Sequence, residues 1–250
     1  MTAVQQHHFT TSNNVKLAWH EIGQGRPLLL LHGLFSNAQI NWVKFGTAAR
    51  LAEAGFRCQM LDFRAHGGSG GDPSAEWPAN VLARDVAEWV QHLGHDEYDL
   101  GGFSLGARTA VHAVIDGLAP RRLAICGMGL RGITDQTAGT DWFIDAVSNR
   151  AGHSLGSEEY FAVQFMKTNK VDPDAALRLL RAQVDADEQD IAAIDIPTGI
   201  ICATDDRFYD DARALQELMP TASFTEIPGT HMSCVSKPEF GAALVDFLTA

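Results

Sequence analysis

Apolar and polar positions alternate along this chain in blocks that switch between the two periods expected of strands and helices. "VKLAWHEIG" follows the turn signal "SNN" and is placed to pair with residues 5–10 as a hairpin. "PLLLLHG" is a short continuous apolar run ending in a glycine loop, the pattern of a strand buried on both faces. "NWVKFGTAARLAEAG" carries apolar residues at helical spacing and stops at Gly55, which predicts one helix over 41–55. The order then repeats. "FRCQMLDF" predicts a strand, "NVLARDVAEWVQHLG" an amphipathic helix, "EYDLGGFS" a strand, "LGARTAVHAVIDG" a helix and "RRLAICGMG" a strand.

Residues 130–187 interrupt the repeat, because strand signals are missing there. Beyond them "IPTGIICAT", "DARALQELM", "ASFTEI" and "PEFGAALVDFLTA" predict strand, helix, strand and helix. Strand–helix repeats of this kind form a mostly parallel central sheet with helices on both faces, an α/β fold. The whole of 1–250 is expected to be one domain, with the interrupting stretch a small helical cap inserted over one end of the sheet.

Composition narrows the functions. Lys and Arg number 19 against 31 Asp and Glu, a net charge of −12. That excess repels phosphate backbones, so neither nucleic acid nor an anionic membrane surface is expected as a partner. The N-terminal "MTAVQQHHFTTSNN" is polar, and "LLLLHG" is too short to span a bilayer, so a soluble cytoplasmic protein is the expectation. Cys58, Cys126 and Cys202 lie in or beside apolar strand runs and, with Cys234, show no zinc spacing; buried reduced thiols are expected.

The pattern Gly-x-Ser-x-Gly occurs three times: "GGSGG" at 67–71, "GFSLG" at 102–106 and "GHSLG" at 152–156. A nucleophilic serine needs a sharp strand-to-helix turn that exposes its hydroxyl to a base. Ser69 lies in a loop of glycines, and Ser154 follows polar residues, where it or Ser157 is placed to cap a helix. Ser104 alone has a strand before it and a helix after it. The helix start also offers the Leu105 backbone N–H to developing negative charge.

A serine requires a base, and the base an orienting carboxylate. His7 and His8 are strand neighbours facing opposite ways, and His92, His95 and His112 fall on or beside helices. His231, in "IPGTHMS", lies in a loop after the last strand, where open α/β sheets place their sites. "ICATDDRF" puts Asp205 and Asp206 at the same sheet edge, and either is placed to orient His231.

With "LLLLHG", "LDFRAHGGS", "GFSLG", "ATDD" and "GTH" in this order, the chain resembles the α/β-hydrolase fold superfamily over nearly its whole length, least in the cap. The resemblance implies Ser104 as nucleophile, His231 as base and Asp206 as acid. Asp206 matches the family's Gly-x-x-Asp pattern, although Ala203 stands where the glycine would be. It implies an oxyanion hole from the backbone N–H groups of Leu34 and Leu105. His32 is placed to brace the oxyanion loop or, as the alternative, to polarise the site, and Asp62 and Arg64 look like a loop-bracing ion pair. A serine at the elbow sets the chain apart from relatives that use an aspartate there. No metal or organic cofactor is implied.

The reaction implied is hydrolysis of a small or medium ester, thioester or lactone through an acyl-enzyme, with a small-molecule acyl substrate as partner. Alternatives on the same triad are a C–C bond hydrolase, a perhydrolase or a hydroxynitrile lyase. A non-catalytic ligand-binding protein is the alternative from another class. Candidate pocket residues are Trp42, Phe103 and, in the cap, Trp142, Phe143, Phe161 and Phe165; the bland alternative for the cap aromatics is packing onto the sheet.

Overall fold

The structure is a computed structural model describing residues 3–250, the side chains of 136–138 excepted. The chain opens with β1 (Gln5–Thr10) and β2 (Lys16–Ile22), an antiparallel hairpin, followed by β3 (Arg26–Leu31). In β3, Leu28 and Leu30 turn to one face of the sheet and Leu29 and Leu31 to the other, and all four are fully buried. Period-2 alternation with apolar residues on both faces is what a helix-covered central strand requires.

A single helix over 41–55 does not form. A π-helical turn, Gln39–Val43, is followed by α1 (Thr47–Glu53), and the break falls at Gly46, whose φ of 85° is left-handed. Apolar spacing continues through that break because both pieces bury the same side, which is why the pattern read as one element. Thereafter come β4 (Phe56–Leu61), α2 (Val81–Leu93), β5 (Asp99–Phe103), α3 (Leu105–Ile115) and β6 (Leu123–Cys126).

The cap follows: α4 (Arg131–Thr134), α5 (Gln136–Ser148), α6 (Glu158–Thr168), α7 (Pro173–Arg181) and α8 (Glu188–Ala192). Helical structure thus runs slightly past the expected limit of 187. Ser157 caps α6 by accepting the Tyr160 N–H, and Asp172 caps α7 through the N–H groups of Asp174 and Ala175. The fold closes with β7 (Thr198–Ala203), α9 (Tyr209–Leu218), β8 (Ala222–Ile227) and α10 (Pro238–Thr249).

Among the described residues the strands form one sheet in the order β1-β2-β4-β3-β5-β6-β7-β8, parallel from β4 to β8. Helices α1 and α10 cover one face, and α2, α3 and α9 the other. From β3 the chain steps outward to β4, then crosses back over β3 to β5. The loops leaving β3 and β5 therefore stand at a reversal of strand order, the position at which open α/β sheets hold ligands.

Arg108, buried on α3 one turn after Ser104, fastens both roots of the cap. Its guanidinium donates to the carbonyls of Gly132, Ile133 and Val184 and faces Asp185 at 3.4 Å. The cap has its own small core of Val147, Val163, Met166, Val171 and Ala176, and Phe35 of the loop after β3 is part of it. No helix among the described residues is long and apolar enough to cross a membrane.

Candidate active site

Ser104 stands at the junction of β5 and α3 with φ 54° and ψ −117°, a strained backbone for any residue but glycine. The strain lifts its hydroxyl out of the strand–helix corner. The flanking glycines are sterically required. A Cβ on Gly102 would lie 2.2 Å from the Gly106 carbonyl group, and one on Gly106 would lie 2.2 Å from the Leu31 oxygen.

His231 reaches Ser104 from the loop after β8, and Asp206 reaches His231 from the loop after β7. His231 Nε2 lies 3.1 Å from Ser104 Oγ, and His231 Nδ1 lies 2.8 Å from Asp206 Oδ2. An ionised carboxylate only accepts, so Nδ1–H donates to Asp206, and Nε2 is left to accept the Ser104 hydroxyl proton. The Asp206 side chain is fully buried, and its Oδ1 accepts the Phe208 N–H at 3.0 Å. Asp205 is exposed and holds the loop through its backbone, donating its N–H to the Gly229 carbonyl. Ala203, at the position where glycine was expected, is buried without disturbing this placement.

The loop after β3 lies directly against the serine: a Cβ on Gly33 would be 3.5 Å from Ser104 Cβ. The Gly33 carbonyl accepts from His32 Nδ1 at 2.7 Å and from the Ser36 N–H at 3.2 Å. In a trans peptide the C=O and the following N–H point in opposite directions, so fixing that carbonyl also fixes the Leu34 N–H. On the other side, the Gly33 N–H is held by Asn41 Oδ1 at 3.0 Å. The Leu105 N–H opens α3 and belongs to the first turn, whose donors have no partner within the helix.

A family model described as alpha/beta hydrolase fold matches residues 26–126. A hydrolase from Pseudomonas aeruginosa superposes with a TM-score of 0.80 at 19% identity, covering 98% of this chain and 99% of that one. The chain has the α/β-hydrolase fold. N-formylmaleamate deformylase of Pseudomonas putida is 32% identical over 132 residues, 50% of this chain and 46% of that protein. Protein phosphatase methylesterase 1 of Rattus norvegicus is 34% identical over 150 residues, 59% of this chain and 34% of that protein. The matched segments thus span about half or less of these relatives' own length.

In this α/β-hydrolase fold two buried histidines pin the β3 and β4 loops reciprocally. His32 Nε2 accepts the Phe63 N–H at 3.0 Å, and His66 Nε2 accepts the Phe35 N–H at 3.1 Å. Each donates its Nδ1–H to a carbonyl, Gly33 for His32 and Arg64 for His66. Both must stay neutral, since a protonated ring has no acceptor. Burial lowers both pKa values, that of His66 to about 3, and the neighbouring His32 adds to the effect on His66. The unfolded chain therefore binds more protons than the folded one between about pH 3 and the ordinary histidine value of 6.5. Folding stability is expected to fall as pH drops through that window and to be flat in this contribution above it. Urea midpoints measured from pH 7 to pH 4 check this; a midpoint that rises toward pH 4 contradicts it.

Asp62 and Arg64 do not pair with one another, contrary to expectation. Asp62 accepts the N–H groups of Ala38 and Gly68 and faces His20 at 3.0 Å, whereas Arg64 makes a two-pronged buried pair with Asp85. Side chains two apart on a tightly turned loop point to different neighbours, and the sequence does not show which neighbours are near. Ser69 donates its hydroxyl to the Asp62 carbonyl and accepts the Ala18 N–H, so it latches this loop to β2. Ser154 is exposed in the loop before α6.

The candidate pocket aromatics scatter. Trp42 is fully buried and stacks on Phe240 beneath the sheet, so it is a core residue and lines no pocket. Phe161, on α6, is 62% exposed and stands edge-on to Tyr160 at 5.8 Å. Trp142 donates to Glu159 at the cap surface, and Phe165 packs against the cap core. Phe143 meets Phe35 edge-on at 5.9 Å, and Phe103 lies 5.0 Å from the His231 ring. Sequence reasoning missed Phe208, whose ring stands edge-on to His231 at 5.4 Å; an aromatic two residues after Asp206 was the available signal. The four cysteines are free and buried.

Proposed function

We propose that this chain is a serine hydrolase that cleaves a small or medium carboxylic ester, thioester or lactone through an acyl-enzyme. The hydrogen-bonded chain Ser104–His231–Asp206 carries the reading. His231 takes the Ser104 proton as the hydroxyl oxygen attacks the carbonyl carbon. The resulting oxyanion is held by the N–H groups of Leu34 and Leu105. Collapse expels the alcohol, which receives the proton from His231. Water then attacks the acyl-enzyme with His231 as base, and the acid leaves. A preorganised donor pair of this kind is worth about 10²–10³ in rate per donor.

The relatives support acyl transfer to water, since one is named a deformylase and the other a methylesterase. The cap, seated over the loop after β3, favours a compact acyl group. The reading is tested by hydrolysis of p-nitrophenyl acetate, butyrate and decanoate. Turnover of the two short esters, with weaker activity on decanoate, is expected. Failure to exceed the buffer rate on every ester and on a thioester and lactone panel overturns it.

A further inference from the structure

Phe35 is one residue beyond Leu34 and adopts φ 58°, a left-handed backbone that is costly for a bulky side chain. Such a conformation persists only where its surroundings enforce it. Two contacts do so here. The Phe35 N–H is held by buried His66, and the ring is 2% exposed, enclosed by the cap residues Val147, Val163, Met166, Val171 and Ala176 with Phe143 at its edge. These side chains belong to α5, α6, α7 and the link between α6 and α7. The cap core is therefore built around a residue of the oxyanion loop.

We propose that Phe35 is a positioning residue: seated in the cap core, it holds the adjoining Leu34 amide in the orientation of an oxyanion donor, so that packing of the cap and assembly of the oxyanion hole are one event. This rests on Ser104 as nucleophile and Leu34 as donor. With the ring removed, the cap no longer enforces the left-handed turn. The loop relaxes toward an ordinary backbone, the Ser36 N–H leaves the Gly33 carbonyl, and the Leu34 N–H, then held through His32 alone, is no longer fixed on the substrate carbonyl. The effect falls on the transition state, where the oxyanion exists, and little on ground-state binding.

The test compares Phe35→Ala and Phe35→Leu with Phe56→Ala. Phe56 is a buried phenylalanine at the start of β4, in a different core cluster and at the opposite end of the sheet from the site. For Phe35→Ala, kcat on p-nitrophenyl butyrate is expected to fall about 10- to 100-fold with KM changed by less than about threefold, and the rate of fluorophosphonate labelling to fall in parallel. Amide hydrogen exchange at positions 35 and 36 is expected to accelerate by roughly tenfold or more as the turn loosens. Phe35→Leu should recover most of the rate. Phe56→Ala should lose thermal stability but keep kcat. If kcat and exchange at 35 and 36 in Phe35→Ala match those in Phe56→Ala, the inference is wrong. Should wild type prove inert on every ester, the functional reading fails, and the exchange comparison still decides whether the cap holds this turn.

Discussion

Ser104→Ala is expected to lower kcat on p-nitrophenyl butyrate by about 10⁶-fold, whereas Ser154→Ala should leave it within about twofold of wild type. The three serines share one local pattern but stand in three environments. Ser104 alone has a base, with His231 Nε2 at 3.1 Å, and alone sits on a strained turn at a helix start. Ser154 lies in an exposed loop, where its carbonyl accepts the Ser157 N–H ahead of α6. Ser69 is a separate case. Its hydroxyl ties Asp62 to Ala18, so Ser69→Ala should cost about 1–2 kcal/mol of stability and leave the kcat of the folded fraction nearly intact. A thermal melt beside the kinetics separates the two effects. A loss from Ser154→Ala comparable with that from Ser104→Ala, in folded protein, overturns the assignment.

Asp206→Asn is expected to lower kcat by about 10⁴-fold while leaving the fold intact, and Asp205→Asn to change it by no more than about twofold. The two oxygens of Asp206 have different partners. One accepts the Phe208 N–H and the other faces His231 Nδ1. An asparagine keeps its oxygen on the Phe208 donor, because two donors cannot face each other in that buried site. Its NH₂ then points at His231 and obliges Nδ1 to accept. The ring proton moves to Nε2, and the imidazole can no longer take the proton of Ser104. Equal losses from Asp205→Asn and Asp206→Asn would mean that the loop after β7 is used differently from this geometry.

The sheet was legible because its strands are runs of apolar residues buried on both sides, as in Leu28–Leu31, with glycine loops at their ends. Ser104 could be chosen over Ser69 and Ser154 for the same reason: strand-then-helix context is a one-dimensional signal with a steric cause. The choice between Asp205 and Asp206 was not open to periodicity, since both lie past the strand end; only the resemblance separated them, and in the fold one is buried while its neighbour is exposed. Long-range pairing was invisible. Arg64 finds Asp85 and not Asp62, Trp42 finds Phe240, and Arg108 finds three carbonyls at the two roots of the cap. Phe35 had no signal at all, because its left-handed φ depends on a cap more than a hundred residues away.

Catalysis of the proposed kind depends on the activation of one serine by one histidine. Labelling the native protein with a fluorophosphonate probe, then mapping the modified peptide, measures that directly. Stoichiometric modification of Ser104 is expected, lost on denaturation and in His231→Ala. Modification of Ser69 or Ser154 in its place, or no modification of the folded wild-type protein, would contradict it.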